Sequence, residues 1–271
     1  MTSCILSIID ALIDYYKNAK KYDCIVVLKM INKDIYDKID TIWFKYITLN
    51  LLTGSNEYLY NIFTLRGDIY IKVSTAFDYL LERGNFNELL KNNERVKKFK
   101  YRYTFYLISN TVIHFKNLEE IYFVNFPYLK DNYDLGSANN IKRLSFKACS
   151  NIFDMEPYQS LEYLKLNNCN FRKYLKDIDF SCQTLKHLIL KNVVCFDDVN
   201  KLENLETLEI CGNNFIKNID GLINLQTLII KDDFHILRDI NKCVNLKTLI
   251  FKNNKNPKLD YSKINPKVIF L

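Results

Sequence analysis

Glycine and proline are scarce in this chain, six and four residues of 271. None of the glycines stands in G-x-x-x-x-G-K-S/T, G-x-G-x-x-G or G-x-S-x-G, and no H-E-x-x-H occurs. Phosphate cradles, nucleophile elbows and zincin-type metal sites therefore have no local signature. Long apolar runs are missing too. The longest uncharged stretch, Tyr103 to Phe115, is thirteen residues and holds Ser109, Asn110 and Thr111, short of the roughly 20 apolar residues of a spanning helix. The N-terminus has no basic n-region, Asp10 interrupts the apolar stretch from Cys4 to Ile13, and no small-residue cleavage site follows. Neither a membrane span nor a secretory signal is expected. None of the eight cysteines forms a C-x-x-C pair. They read as reduced thiols of an intracellular protein, cytoplasmic or nuclear and not secreted.

What is present is ordinary globular material, 48% hydrophobic and 25% charged, with a formal charge of +7. Lys, Asn, Ile, Tyr and Phe are abundant, a profile that an A+T-rich genome encodes without selection for a partner, so the basic balance says little by itself. Acids such as Asp197 with Asp198 and Asp232 with Asp233 are spread among the bases. A nucleic-acid reader gathers bases and stacking aromatics into one footprint, and this distribution argues against nucleic acid as the main partner.

Self-similarity is the strongest signal. An L-x-x-L-x-L pattern recurs at Leu161, Leu164 and Leu166; Leu185, Leu188 and Leu190; Leu205, Leu208 and Ile210; Leu225, Leu228 and Ile230; and Leu246, Leu249 and Phe251. Weaker copies stand at Ile141, Leu144 and Phe146, at Leu118, Ile121 and Phe123, and at Val96, Phe99 and Tyr101. Successive first positions are 22, 23, 20, 24, 20, 20 and 21 residues apart. One short strand per repeat can pair with its neighbours into a parallel sheet while alternate side chains stack into a shared core. Three residues after the third apolar position the column reads Phe126, Cys149, Cys169, Val193, Asn213, Asp233 and Asn254. Asn or Cys there can bond backbone at the turn out of the strand, which gives Cys149 and Cys169 a structural role.

Over residues 96–271 the chain resembles the leucine-rich-repeat family. The resemblance implies an α/β solenoid with parallel strands on the concave face. The segments between strands, such as Asp177-Ile178, Ile219 to Leu222 and Asp239-Ile240, are too brief for full helices and predict short 3₁₀ or irregular convex crossings. The end, with Pro257, Pro266 and Val268 to Leu271, reads as a C-terminal cap.

Residues 1–50 read as a small helical domain. Ile5, Leu6, Ile8, Ile9, Leu12, Ile13 and Tyr16 follow helical spacing, as do Ile25, Val26, Leu28, Met30, Ile31, Ile35, Ile39, Ile42 and Trp43. Two readings stay open. One is a structural cap that shields the first repeat, with no ubiquitin link. The other is a segment that resembles an F-box, a short helical domain that often precedes leucine-rich repeats, although the usual opening Leu-Pro pair is absent. That resemblance implies docking onto a Skp-type adaptor of a cullin-RING ubiquitin ligase through Leu12, Leu28, Ile31, Ile35 and Trp43, with the repeats selecting the substrate. Residues 51–95 read as a connecting segment or as degenerate repeats.

The repeat register places Glu120, Arg143, Tyr163, His187, Thr207, Thr227 and Thr248 in one outward column of the concave face. Tyr122, Ser145, Lys165, Ile189, Glu209, Ile229 and Ile250 form a second, and Val124, Lys147, Asn167, Lys191, Cys211, Lys231 and Lys252 a third. From these columns Tyr122, Arg143, Tyr163, Lys165, His187, Ile189, Lys191, Ile229, Lys231, Ile250 and Lys252 are the candidate contacts for a protein partner. Apolar centres supply affinity, basic flanks steer approach, and Tyr and Arg recur at interface hot spots. His187 and Cys211 fall on neighbouring strands about 14 Å apart by strand geometry, too far for a dyad. The expectation is a binding module, not an enzyme, with no cofactor and no metal.

Overall fold

The computed structural model describes residues 11–12, 43–51, 66–73, 93–102, 117–125, 140–150, 158–169, 183–193, 199–212, 216, 218–231, 240–252 and 269–270. The chain divides into two compact units, residues 1–108 with 114–118 and residues 109–113 with 119–271. Among the described residues no helix is long and apolar enough to cross a membrane.

In the first unit, β1 (Trp43–Leu51), β2 (Arg66–Val73) and β3 (Val96–Arg102) run parallel. Trp43 stands opposite Arg66, and Ile71 opposite Phe99. A 3₁₀ turn at Asn93–Arg95 leads into β3. Ile69, Val96, Phe99 and Leu118 are buried.

These strands correct the sequence reading at one point. Residues 1–50 do not stay helical to their end: Ala11 and Leu12 are helical, but Trp43–Leu51 is a strand. The cause lies in the apolar period, which changes from helical spacing to alternation at Ile47, Leu49 and Leu51. Trp43 therefore opens a strand instead of completing a helical set. Within residues 51–95 lies the strand Arg66–Val73, with Ile69, Ile71 and Val73 at alternate positions, paired parallel with β1 and β3. Parallel pairing thus begins well before Val96. Leu28, Ile31 and Ile35 lie outside the described residues, as does the rest of the proposed cap apart from Ala11, Leu12 and β1.

The second unit contains β4 (Glu120–Val124), β5 (Arg143–Lys147), β6 (Tyr163–Asn167), β7 (His187–Lys191), β8 (Thr207–Cys211), β9 (Thr227–Lys231), β10 (Thr248–Lys252) and β11 (Ile269–Phe270). They pair in chain order, all parallel, and β4 to β10 show no register slip. Alternation along each strand explains the packing. The second and third apolar positions of the pattern point inward and the residues between them point out. Leu144, Leu164, Leu188, Leu208, Leu228 and Leu249 form one inner column and none is more than 1% exposed. Phe146, Leu166, Leu190, Ile210 and Ile230 form the next, with the Phe146 ring stacked on Phe123 at 5.3 Å. Phe251 at the end of this column is only half-buried. Its neighbour β11 pairs with Thr248 and Leu249 alone and stops short of it.

The segments approaching each strand carry a second periodicity. Val199, Leu202 and Leu205 are buried at every third position, and so are Ile219, Leu222 and Leu225, and Ile240, Cys243 and Leu246. Backbone bonds close the same intervals: Leu202 N–H to Val199 O, Leu222 N–H to Ile219 O, and Cys243 N–H to Ile240 O, at 3.0, 3.1 and 3.0 Å. Residues three apart eclipse in 3₁₀ geometry, so a run of tight turns suffices to keep one apolar side inward. Ile240–Lys242 is a 3₁₀ helix outright.

Strands β4 to β8 each exit through one left-handed residue: Asn125, Ala148, Asn168, Asn192 and Gly212, with φ between 49° and 73°. Asn and Gly tolerate this region and Ala does not gain from it. The neighbouring cysteine column behaves as expected. The Cys149 thiol faces the Lys147 and Phe123 carbonyls, at 3.4 and 3.8 Å, and the Cys169 thiol faces the Asn167 carbonyl at 3.4 Å.

Leu208 sits at the middle of the innermost column. Leu208→Ala should lower the unfolding free energy by about 2–5 kcal/mol, read from a urea or guanidinium transition. Thr207→Ala, one residue away on the outward side, should change it by less than about 0.5 kcal/mol. Equal effects would contradict the inward assignment.

Candidate binding face

Strand register brings the outward columns together as a surface. Tyr163 stands opposite His187, Lys165 opposite Ile189, Thr227 opposite Thr248, and Ile229 opposite Ile250. Tyr122, Arg143, Tyr163, Lys165, His187, Ile189, Lys191, Ile229, Lys231, Ile250 and Lys252 all occupy outward positions of β4 to β10. All are half-buried save Lys252, which is exposed.

On β4 to β7 the outward side chains hold one another. The Tyr122 hydroxyl donates to Glu120 Oε2 at 2.7 Å. Arg143 Nε lies 3.9 Å from the other oxygen of the same carboxylate, and its guanidinium carbon rests 4.0 Å above the Tyr163 ring. The His187 ring follows, tilted, at 6.5 Å from Tyr163. Burial, and then the bond to Glu120, pushes the Tyr122 hydroxyl pKa well above its ordinary value. Burial raises Tyr163 as well, against the opposing charge of Arg143. Both phenols therefore stay neutral at physiological pH and act as donors or as ring surfaces, not as bases.

On β7 to β9 the expected lysine column is not a bare basic stripe. Glu209 Oε1 lies 3.0 Å from Lys191 Nζ and 2.7 Å from Lys231 Nζ. Glu209 stands on β8 two residues before Cys211, and Cys211 is directly opposite both lysines. The carboxylate thus reaches diagonally to either side, a distance of about 7–8 Å between backbones that long side chains span. Burial alone would raise the Glu209 pKa, but hydrogen bonds and charge from Lys231 and Lys191 outweigh it and hold the group below its ordinary value. Column-by-column reading missed this contact because the partners sit in different columns. Cys211 and His187 are four residues apart along the strand direction, His187 being opposite Thr207 and Cys211 opposite Lys191, so they form no dyad. Among the described residues no group of three or more His, Cys, Asp or Glu could hold a metal ion.

The edge where the chain enters the strands is polar and regular. Asn117 donates through Nδ2 to Glu94 O, Asn204 to Gln183 O, Asn224 to Glu203 O and Asn245 to Ile223 O, at 2.8–3.1 Å, and the Thr184 hydroxyl bonds Gln159 O at 3.0 Å. Each donor precedes the first leucine of its repeat and reaches the carbonyl two residues before the first apolar residue of the preceding one. The signal was present in the sequence as Asn, Ser or Thr before every such residue from Leu118 to Leu246. Beside it, Glu119, Lys142, Glu162, Lys186 and Glu206 alternate in sign, then Gln226 and Lys247 follow; Lys186 Nζ is 3.9 Å from Glu206, and Lys247 Nζ is 3.0 Å from Gln226 Oε1. Part of this edge forms an open polar trough of about 450 Å³ between Glu162 and Gln226. Its lining groups are largely committed to the ladder, which makes it a register device in the first place.

The depressed Glu209 pKa gives a signed test. The carboxylate contributes stability above its unfolded-state pKa, and that contribution fades as pH falls through the lower folded-state value. Glu209→Gln should therefore be less stable than the parent at pH 7, by no more than about 1 kcal/mol for a partly exposed pair, and the gap should close on acidification to about pH 3. Thermal melts of both proteins across that range measure it; a gap that is constant with pH would contradict the assignment.

No family model matches the chain, and no curated protein matches it significantly. Solved structures do. One is TLR13 in a TLR13–ssRNA13 complex: 21% identical, TM-score 0.52, over 73% of this chain, which spans only 30% of TLR13. Another is a leucine-rich-repeat protein of Leptospira interrogans at 17% identity and TM-score 0.44, over 62% of this chain and 52% of that one. A third is an internalin of Listeria monocytogenes at 13% and 0.38, over 93% and 94%. Together with the chain's own L-x-x-L-x-L rungs, the likeness to TLR13 shows the fold: a parallel β-solenoid of leucine-rich repeats.

Proposed function

We propose that the protein is a binding module, not an enzyme, and that it takes a protein partner on the outward face of β4 to β10. The observation that supports this most is the mutual bracing of that face. Arg143 is stacked on Tyr163 and tied through Glu120 to Tyr122, and Glu209 holds Lys191 and Lys231. Side chains fixed before contact lose less entropy on binding, and Tyr and Arg are the types most often found at hot spots. The apolar Ile229 and Ile250 adjoin the braced lysines and supply area that a partner can cover. TLR13 is seen with ssRNA13, which makes RNA the competing occupant. A protein is favoured here because two carboxylates, Glu120 and Glu209, stand within the face and Arg143 already covers the Tyr163 ring that a base would stack on.

A finer reading concerns the N-terminus, where the helical, half-buried Leu12 keeps the F-box-like adaptor role open beside that of a structural cap. It rests on Leu12, Leu28, Ile31 and Ile35, since Trp43 belongs to β1. The intracellular setting expected from the cysteine pattern is part of the same proposal.

Two experiments test these readings. Ile229→Asp with Ile250→Asp should abolish capture of native-host partners by the tagged full-length chain and leave its melting temperature within a few degrees; undiminished capture moves the site off this face. Co-purification of a Skp-type adaptor that is lost in Leu12→Asp would support the adaptor role. If the parent protein retains no adaptor, the cap reading stands.

A further inference from the structure

The outward lysines of β4 to β10 are not equivalent. Lys191 and Lys231 share Glu209. Lys147 stands opposite Val124 on one side and Asn167 on the other. Lys165 stands opposite Ser145 and Ile189. Neither has an acid across the ladder. Lys252 also lacks one, but it is isolated beside Lys231 at the far end. Lys147 and Lys165, by contrast, adjoin each other and Arg143, whose side chain stays 43% exposed while its Nε lies 3.9 Å from Glu120 and its guanidinium rests on Tyr163.

The three cations have a definite layout. Arg143 and Lys147 are four residues apart on β5, about 13 Å, and Lys165 on β6 stands midway between them, beside Ser145 and about 4.8 Å across. Their spacing along the strand direction is therefore one cation every two residues. An extended chain also presents every second side chain to one side, at about 7 Å intervals. The geometry fits carboxylates at positions i, i+2 and i+4 of such a chain, with the Ser145 hydroxyl beneath the middle one as a hydrogen-bonding group.

We infer that the outward surface of β5 and β6 is the docking site for an extended segment of the partner with Asp or Glu at alternate positions. This rests on the reading of the outward strand face as the partner surface, and it names the chemistry of one end of that partner. The apolar Ile229 and Ile250 lie at the other end and take no part in it. RNA would also answer the positive charge. It is disfavoured by the covered Tyr163 ring, on which a base would otherwise stack.

The probe is an acetylated Glu-Thr-Glu-Thr-Glu-Thr peptide, with the block isomer Glu-Glu-Glu-Thr-Thr-Thr and a uridine hexanucleotide as competitors, titrated into the full chain at low salt. The alternating peptide should bind saturably and at least about fivefold more tightly than the block isomer. Lys147→Gln with Lys165→Gln should weaken it about tenfold or more, since two charge-assisted contacts are lost. Lys165→Arg should retain binding, which separates lost charge from lost folding. Lys186→Gln with Lys247→Gln removes the same charge from the strand-entry edge and should leave binding unchanged. Equal loss in both double variants, equal binding of the two peptides, tighter binding of the hexanucleotide, or no binding at all would overturn the inference. If the Ile229 and Ile250 variant loses partner capture while the peptide fails to bind, this inference falls and the proposed function survives. If the peptide binds as expected but capture ignores Ile229 and Ile250, the β5–β6 site stands and the broader interface is withdrawn.

Discussion

The stacking of one buried leucine per rung, Leu144 on Leu164, Leu188, Leu208, Leu228 and Leu249, sets everything else in the second unit. No single rung could keep its leucines from water, so each is stable only between neighbours. Side chains alternate along a strand, and a slip of one residue would turn these leucines outward. The inner column therefore dictates the register, and the register dictates which outward side chains become neighbours. The contacts of Arg143 with Tyr163, and of Glu209 with two lysines, are consequences of where the leucines had to go.

Polar devices at the rims protect that register. The Asn and Thr ladder bonds repeats to a carbonyl of the one before, and beside it Glu and Lys alternate in sign from rung to rung. Each bond contributes only about 0.5–1.5 kcal/mol, far less than burial of a leucine. Specificity is the larger effect, because a shifted rung would strand the donors. Gly221 shows how tightly neighbouring turns approach. Its N–H bonds Asn200 Oδ1 at 3.0 Å, and an added Cβ would stand 2.6 Å from the Asn200 carbonyl oxygen. Gly212 has a different reason: it takes the left-handed conformation at the strand exit, where Asn168 and Asn192 serve in other rungs.

The outward face divides by chemistry along the sheet. Around β5 and β6 it is cationic: Lys147 and Lys165 face neutral neighbours across the ladder, and Arg143 pairs with Glu120. From β7 to β9 the lysines are offset by a central carboxylate, and toward β10 isoleucine and threonine prevail. For the partner proposed above, such a gradient would set a direction as well as an affinity, since a reversed segment would put acids on isoleucine and apolar groups on lysine. Burial raises the phenol pKa of both Tyr122 and Tyr163 in the middle of this surface.

The amino-acid sequence by itself determined the repeat, the inward leucines and the three outward columns, because a period near twenty-one residues combined with strict alternation leaves few ways to bury the apolar side chains. It also held the Asn ladder, in the residue before each first leucine, where attention to the turn after the strand overlooked it. Only the tertiary structure decided two things. Trp43 begins a strand that pairs parallel with Arg66–Val73 although helical spacing runs up to Trp43, because pairing with a neighbouring strand extends the alternation that starts at Ile47 back to a residue whose local pattern is helical. And Glu209 pairs diagonally with Lys191 and Lys231 while Lys147 and Lys165 stand opposite no acid across the ladder, because charge partners in a sheet are chosen by register and side-chain reach across rungs, which residues twenty positions apart in the chain cannot reveal.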